Sequence, residues 1–433
     1  MKRNKFFGLL SLIAALSLLA TQCAAPTAAP TEAQPPAAAP TSAPMEATQA
    51  PTEAPVVEVP AIRVGGLYPL TGDLAKLGEE NKDGLQLAID EINAAGGIKS
   101  MGGAQIEIVW GDTTGKPEVG ISEVERLAQQ ENVVAIIGAY QSAVTTPATQ
   151  AAERLSVPFI VSMAVSDQIT ERGFKYTFRV CPKASWYAKD QVTFLQDLSD
   201  LAGLDVKRVA LLHEDTDFGE STAAGQKKYL AEAGMEMVLE VKYPASAADL
   251  TTEVSKVKAA DPDAVLTVTY LNDSILIAQA REALGMMNIP FVDAAGGTVD
   301  PEFIKRLGAT AEGWFTEIEY TKYAAGAEDL NNRYKDRFGV DITGNGAYAY
   351  QAGWILANAL ERTAQADRAA VRDALATTDM PKGPDMVLPT DHVYFDEQGQ
   401  NPNAPLFIVQ VQNGELIPVW PGDYAAAPVK LTQ

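Results

Sequence analysis

Hydroxyl and amide side chains follow an apolar run in the stretch IIGAYQSAVTTPAT, Ile136 to Thr149. Gly138 interrupts the run, and Tyr140, Gln141 and Ser142 come where an Ala-rich helix pattern begins. The start of a helix leaves backbone N–H groups without partners and carries a partial positive charge. The order of these residues therefore predicts a seat for an anionic group at this helix start.

Other residue types that could do chemistry do not form a recognisable site. GDTTGK (111–116) is one residue too short for a phosphate loop, and Pro117 stands where the magnesium-holding Ser or Thr would be. His213 and His392 are far apart, without the paired spacing of metal ligands. Cys181 has no neighbouring histidine, and no G-x-S-x-G is present. We expect a protein that is not an enzyme, with no cofactor and no metal.

Apolar strand-like runs alternate with segments of helical period, which predicts an α/β fold with parallel sheets covered by helices on both faces. The expected strands are IRVGGL (62–67), IEIVW (106–110), VVAIIG (133–138), PFIV (158–161), RVALLH (208–213), VLEVKY (238–243), AVLTV (264–268), IPFV (289–292), VYFD (393–396) and a hairpin, LFIVQVQNGELIPVW (406–420), turning at Asn413-Gly414. They fall into two similar series, so we expect two lobes, with the helices around Tyr334 and Tyr348 returning to the first lobe.

The N-terminal sixty residues have the pattern of an export segment. Lys2, Arg3 and Lys5 precede a short apolar run, which predicts a signal peptide over 1–23 with lipid attachment at Cys23. Cleavage after Ala25 without lipid attachment is the alternative. Residues 24–60, mostly Ala, Pro, Thr, Glu and Gln, are expected to be a disordered tether.

Net charge limits the partners. The chain has 34 Lys and Arg against 56 Asp and Glu, a formal charge of −22. Such a surface argues against nucleic acid or anionic lipid as a partner. Loops at the carboxyl ends of the expected strands are rich in small, hydroxyl and aromatic residues in both series, which predicts a ligand site in a cleft between the lobes.

Three stretches carry a resemblance to a known family: YPLTGDLAKLGEENKDGLQLAIDEINAAGGI, the run from GDTTGKPEVGISEVERLAQQ to FKYTFRV, and HEDTDFGESTAAG. They resemble the leucine/isoleucine/valine-binding family of solute-binding proteins for ABC transporters, over about Ile62 to Trp420. The resemblance implies the type I periplasmic-binding fold, with two doubly wound parallel-sheet lobes joined by a three-strand hinge. It divides the body into lobe 1, over 61–182 and 314–385, and lobe 2, over 183–313 and 386–425.

The resemblance also implies which residues contact a ligand. Ser142 and the adjacent backbone match the position that contacts a ligand carboxylate. The full set that it implies is Leu77, Tyr140, Gln141, Ser142, Ala164, Ser166, Phe218, Tyr270 and Ala295. Amino-acid binders of this family commonly place an acidic residue where Ala295 stands, and Asp293 is two residues away. Because an unpaired buried ammonium is costly, either another carboxylate serves or the ligand lacks an amine.

The resulting hypothesis is a monomeric extracytoplasmic receptor, anchored through Cys23, that closes over a small solute and delivers it to an ABC-transporter permease. An amino acid, possibly branched-chain, is the first choice of ligand. Aromatic or aliphatic carboxylates, amides and urea remain open. The other classes are a sensory module of the same fold and, third, a hydrolase.

Overall fold

The computed structural model describes residues 59–324 and 326–431. The expected signal peptide over 1–23, Cys23 and nearly all of the tether over 24–60 lie outside this range. Within the described part, none of the helices has the length and hydropathy that a membrane span requires.

Strands and helices alternate through most of the body. The strands are β1 (Ile62–Tyr68), β2 (Ile106–Asp112), β3 (Ile136–Gly138), β4 (Phe159–Val161), β5 (Thr177–Arg179), β6 (Arg208–Glu214), β7 (Glu236–Tyr243), β8 (Ala264–Val268), β9 (Phe291–Asp293), β10 (Phe315–Ile318), β11 (Asp379–Pro381), β12 (His392–Tyr394), β13 (Phe407–Gln412) and β14 (Glu415–Trp420). The helices are α1 (Ala75–Ala94), α2 (Pro117–Gln129), α3 (Ser142–Arg154), α4 (Gln168–Glu171), α5 (Ala184–Ala202), α6 (Asp217–Ala233), α7 (Thr251–Ala259), α8 (Leu271–Ala283), α9 (Pro301–Leu307), α10 (Ala327–Phe338), α11 (Gly344–Thr363) and α12 (Arg368–Ala376).

The two large sheets share one strand order. The first sheet is wholly parallel, in the order β2-β1-β3-β4-β5. The second sheet repeats this order with parallel strands β7-β6-β8-β9-β10. In such doubly wound sheets the connections reverse direction beside the first strand, and ligands bind at the carboxyl ends there. The sequence prediction of two similar parallel lobes is confirmed.

The expected C-terminal hairpin is present at the edge of the second sheet. Strand β13 pairs antiparallel with both β10 and β14. Gln412 faces Glu415 across a two-residue turn, in which Asn413 and Gly414 have φ angles of 57° and 78°. Two positive φ angles are what a tight hairpin turn of this kind requires, and Asn-Gly tolerates them best.

Helix α11 packs against α1 of the first lobe. It packs against α1 so closely that a Cβ at Gly84 would lie 2.0 Å from the carbonyl oxygen of Gly346. A Cβ at Gly353 would lie 2.9 Å from the Cβ of Ala88. Glycine at these crossings lets two helix backbones approach and bury the apolar side chains around them.

The sheets divide the chain differently from the expected lobe ranges at two places. Strand β10 falls in the range 314–385 expected for lobe 1, but it pairs with β9 and β13 in the second sheet. Residues from β12 to Gln400 fall in the range expected for lobe 2, yet Gln400 bridges to Arg179 of β5 and Phe395 packs on Phe178 at 5.3 Å. The chain thus passes between the sheets after β5, after β10 and before β13.

Candidate functional site

The loop from β3 to α3 forms one wall of a cavity. Tyr140 has a φ of 77°, a left-handed conformation that costs energy for a residue other than glycine. Ser142 is the first residue of α3 and is 2% exposed. The first N–H groups that bond within the helix are those of Val144 and Thr145, which donate to Gln141. The N–H groups of Ser142 and Ala143 therefore precede the intrahelical hydrogen bonds.

The Ser142 hydroxyl links this wall to the loop after β4. Its Oγ accepts a hydrogen bond of 3.1 Å from the backbone N–H of Ser166. A hydroxyl has two lone pairs and one hydrogen. Because the Ser166 bond uses a lone pair, the hydroxyl hydrogen of Ser142 is left to donate to an acceptor in the cavity.

Arg179 holds the loop after β4 from behind. Its guanidinium is fully buried and donates to the carbonyl oxygens of Ala164 at 3.2 Å and Ser166 at 2.7 Å. Further bonds reach Gln400 Oε1 at 2.6 Å and Thr170 Oγ1 at 3.0 Å. Burial lowers the pKa of Arg179 below its usual value. Arginine nonetheless stays charged in proteins, so a fixed positive group lies close behind this wall.

The second lobe supplies aromatic rings and a tight loop. Phe218 follows the start of α6 and Tyr270 precedes α8, with ring centroids 5.5 Å apart. The Tyr140 ring of the first lobe lies 6.4 Å from that of Tyr270. Ala295 has a φ of 57°, and a Cβ at Gly296 would lie 2.0 Å from the Thr269 carbonyl oxygen. The backbone after β9 is thus held against the neighbouring loop with no room for a side chain at Gly296.

Glu319 contributes a carboxyl group to the cavity, where the chain leaves β10 and passes between the lobes. Glu319 is 2% exposed, and the Tyr187 hydroxyl donates a hydrogen bond to its Oε1. Burial raises the pKa of Glu319 to about 7, although the Tyr187 bond acts in the opposite direction. Among the described residues that line the cavity, Glu319 is the one with an acidic or basic side chain that can be charged near neutral pH.

Asp293 does not face the cavity. It is fully buried and accepts hydrogen bonds from Thr267 at 2.7 Å, Thr298 at 2.8 Å and Thr269 at 3.1 Å. Burial raises the pKa of Asp293 well above its usual value. The Asp293 carboxyl thus forms its hydrogen bonds within the second lobe and does not face a ligand in the cavity.

Six of the nine residues expected from the sequence line this cavity: Tyr140, Ser142, Ala164, Phe218, Tyr270 and Ala295. The sequence reasoning missed Met163, Val165, Tyr187, Ala294, Gly296, Val299, Glu319 and Asn345, which line it as well. The empty volume of the cavity, including the part that is open to solvent, is about 450 Å³. A compact solute fits such a space better than an extended one.

The other three expected residues do not line the cavity. Leu77 is 1% exposed and belongs to the apolar core of the first lobe. The Gln141 side chain turns toward the loop after β2, where Nε2 lies 3.4 Å from the Gly115 carbonyl oxygen. Ser166 contributes its backbone N–H to Ser142. Each lies in the expected loop or helix, but none of the three is among the residues that line the cavity.

The two lobes meet beside the cavity. The backbone N–H of Asp167 donates to Ser221 Oγ at 3.1 Å. The Gln168 side chain donates to Asp217 Oδ2 at 3.0 Å. These bonds join α4 and the residue before it, in the first lobe, to α6 in the second, so the cavity is bounded by both lobes.

Comparisons with known proteins agree with this architecture. Residues 61–415 match the family described as periplasmic binding protein. The Leu/Ile/Val-binding protein homolog 7 of Brucella suis is 33% identical over 385 residues, covering 86% of this chain and 94% of that protein. This coverage includes the strands and loops that build the cavity.

Solved structures show the same fold. The branched-chain amino acid transporter substrate-binding protein LivJ of Streptococcus pneumoniae, in complex with isoleucine, aligns with a TM-score of 0.72 and 26% identity, covering 82% of this chain and 97% of that one. A solute-binding protein of an ABC transporter from Rhodopseudomonas palustris, in complex with 3,4-dihydroxybenzoic acid, has a TM-score of 0.71 at 23% identity, covering 83% and 95%, a likeness of fold alone. The fold is therefore the type I periplasmic-binding fold, and the chain belongs to the periplasmic binding protein family, whose members are solute-binding receptors that work outside the cytoplasm.

Proposed function

We propose that the chain is the receptor of an ABC transporter and that it binds a small carboxylate-bearing solute, an amino acid in the first instance, between its lobes. The observation that carries this proposal is the start of α3 facing a cavity that Phe218 and Tyr270 bound from the other lobe. The isoleucine bound by the LivJ protein and the names of the Brucella relatives support an amino acid as the ligand.

The carboxylate is proposed to lie at Ser142. There it can accept hydrogen bonds from the Ser142 hydroxyl and from the N–H groups of Ser142 and Ala143, which precede the bonds of the helix. The helix dipole and the charge of Arg179 both favour an anion at this point. An uncharged group in the same place would be stabilised less by the helix dipole and by the charge of Arg179.

The ligand side chain is proposed to lie among apolar groups. Met163, Val165, Phe218 and Val299 line the same cavity and offer nonpolar contacts. Burying an aliphatic side chain there is favourable by roughly 1.5–3 kcal/mol. A branched-chain amino acid combines this apolar part with a carboxylate, which is why it is the first choice.

An aromatic acid is a second candidate, because three rings meet at the cavity. Tyr140, Phe218 and Tyr270 have neighbouring centroids 6.4 and 5.5 Å apart and could stack against a bound ring. The structural relative with bound 3,4-dihydroxybenzoic acid makes this class worth including in the test. The two candidates differ in whether the ligand carries an amine.

Binding is proposed to favour the state in which the lobes touch. A ligand that contacts both walls adds its binding energy only when the cleft is closed. Small-angle scattering should show a smaller radius of gyration with saturating ligand than without. An identical profile with and without a ligand whose binding is verified by calorimetry would contradict closure.

The ligand test combines native mass spectrometry of the purified protein with calorimetry on L-amino acids and benzoic acids. Ser142→Ala should weaken binding of the acid identified by about ten- to a hundredfold, because a hydrogen bond to a charged group contributes roughly 1.5–3 kcal/mol. Ser122→Ala, the same change on an exposed serine of α2, is the control and should bind normally. Equal binding by both variants would contradict the carboxylate assignment.

The membrane anchor is a separate proposal. Cys23 follows the apolar run of the expected signal peptide, and a lipid there would hold the receptor beside its permease. Cys23→Ser should move the protein from the membrane fraction to the soluble fraction, whereas Cys181→Ser, which changes a buried cysteine of the body, should leave it in the membrane fraction. Retention of Cys23→Ser in membranes would contradict lipid attachment at Cys23.

A further inference from the structure

The carboxyl group of Glu319 is buried and has no cationic partner in the described part of the chain. It is 2% exposed, it lines the ligand cavity, and the Tyr187 hydroxyl bonds to its Oε1. Its Oε2 lies beside the backbone of Gly344, where a Cβ would come within 2.7 Å. Within 59–324 and 326–431, no lysine, arginine or histidine forms an ion pair with it.

A buried carboxyl without a counter-ion is costly in its charged form. A cation entering the cavity would remove that cost, and one bound to a carboxylate also gains a charge-assisted hydrogen bond. A metal ion is a poor fit, because in the described part no three His, Cys, Asp or Glu side chains gather as a metal-binding group. An organic ammonium needs only one such carboxylate and a neighbouring acceptor.

The loop after β9 provides no carboxylate that could bind an ammonium group in the cavity. Ala295 places a methyl group on the cavity, and the carboxyl of Asp293 is bonded to three threonine hydroxyls away from it. The charge complementary to an amine is therefore on a different wall, beside the crossover after β10.

We propose that Glu319, positioned by Tyr187, binds the α-ammonium group of the solute, so that the substrate class of this cavity is amino acids and not carboxylic acids that lack an amine. This inference rests on the proposed function of the cavity. The two charges of an amino acid are then recognised by different elements, its carboxylate by the start of α3 and its ammonium by the residue after β10.

The experiment compares matched ligands by calorimetry. Each L-amino acid that binds, from a panel that includes leucine, isoleucine and valine, is paired with the 2-hydroxy acid of the same side chain, which keeps the carboxylate and loses the ammonium. The proteins are the wild type, Glu319→Gln and Glu317→Gln. Glu317 lies two residues earlier, is fully buried and does not line the cavity, so it is the matched control.

Wild type and Glu317→Gln should bind the amino acid at least tenfold more tightly than the hydroxy acid. Glu319→Gln should lose ten- to a hundredfold in affinity for the amino acid and keep its affinity for the hydroxy acid, which also shows that its cavity is folded. Equal wild-type affinities for the two ligands, or an unchanged preference in Glu319→Gln, would overturn the amine assignment while leaving a carboxylate receptor. Binding of neither ligand by the wild type would overturn the proposed function, and this inference with it.

Discussion

The two polar walls of the cavity are built in opposite ways. The wall at Ser142 comes from one contiguous stretch, in which a strand, a glycine, a hydroxyl-bearing loop and a helix start follow each other. The wall at Glu319 comes from two residues, Tyr187 and Glu319, that are 132 positions apart and meet only in the folded chain. A wall built from one contiguous stretch can be predicted from the sequence. A wall built from residues that are distant in the sequence cannot.

The walls also differ in charge. The first offers N–H and O–H donors with Arg179 behind them, and the second offers a carboxyl group. A solute with one negative and one positive group satisfies both, and a solute with only one of them leaves a wall without its partner. Changes to either wall should therefore have effects that depend on which group the ligand carries.

The largest effect is expected from Ser142→Asp. A fixed negative charge would face the ligand carboxylate, and like charges in contact at a buried site cost several kcal/mol. We expect a loss of at least about a hundredfold in amino-acid affinity by calorimetry. Because an acidic residue in the first turn stabilises a helix, thermal unfolding should be little changed. Normal affinity would show that the loop does not contact a ligand anion.

Acidification should have the next largest effect, on the Glu319 wall alone. Burial raises the pKa of Glu319 to about 7, and an ammonium binds the ionised carboxylate. Below pH 7 a proton must leave before the ammonium binds, so amino-acid affinity should be about tenfold weaker at pH 6 than at pH 8. Titration calorimetry at pH 6, 7 and 8 measures this change.

The other titratable groups near Glu319 should not produce this dependence. Burial raises the pKa of Cys181 to about 11, and it raises the pKa values of Tyr140, Tyr187 and Tyr348 well above their usual range, so these four groups stay neutral from pH 6 to 8. Burial also raises the pKa of Glu317 well above its usual value, but Glu317 does not line the cavity. Burial also raises the pKa values of Glu80 and Asp273 to about 7, but neither lines the cavity.

Two variants separate the sources of the pH effect. In Glu80→Gln the amino-acid affinity should still fall between pH 8 and pH 6. In Glu319→Gln this pH dependence should disappear, because Glu319→Gln removes the carboxyl group that faces the solute. An amino-acid affinity that does not vary between pH 6 and 8 in the wild type would contradict an ionised Glu319 in the complex.

A smaller effect is expected from Tyr187→Phe. The lost hydrogen bond positions Glu319 and does not contact the solute in our account, so we expect about a fivefold loss of amino-acid affinity. Because the Tyr187 bond lowers the pKa of Glu319, its removal should also move the midpoint of the pH profile upward. Tyr229→Phe on α6 is the control. An unmoved midpoint would mean that Tyr187 only fills space.

The sequence predicted the fold where strands were apolar and failed where they were not. Strand β8 was found at its observed bounds, because AVLTV is a buried run of strand-forming residues. Strands β5 and β10 were missed, because TFR and FTEI place a charged residue inside a buried three- or four-residue strand. Without β10, its segment was assigned to the wrong sheet.

The same failure hid the second wall of the site. Glu319 follows β10 directly. Its position at the cleft could therefore not be predicted from the sequence without first recognising that strand. The absence of an acidic residue at Ala295 was the available signal, since it required a carboxylate elsewhere if the ligand has an amine. Tertiary structure was needed to say which one.

The central claim, that one cavity recognises the two charges of an amino acid from two different walls, is tested most directly by calorimetry of the amino acid and its amide on three proteins. The amide keeps the ammonium and loses the carboxylate. We predict that the amide binds the wild type at least tenfold more weakly than the acid, that Ser142→Ala weakens the acid ten- to a hundredfold but hardly changes the amide, and that Glu319→Gln weakens both. An amide that binds as tightly as the acid, or two variants that weaken both ligands equally, would contradict the account.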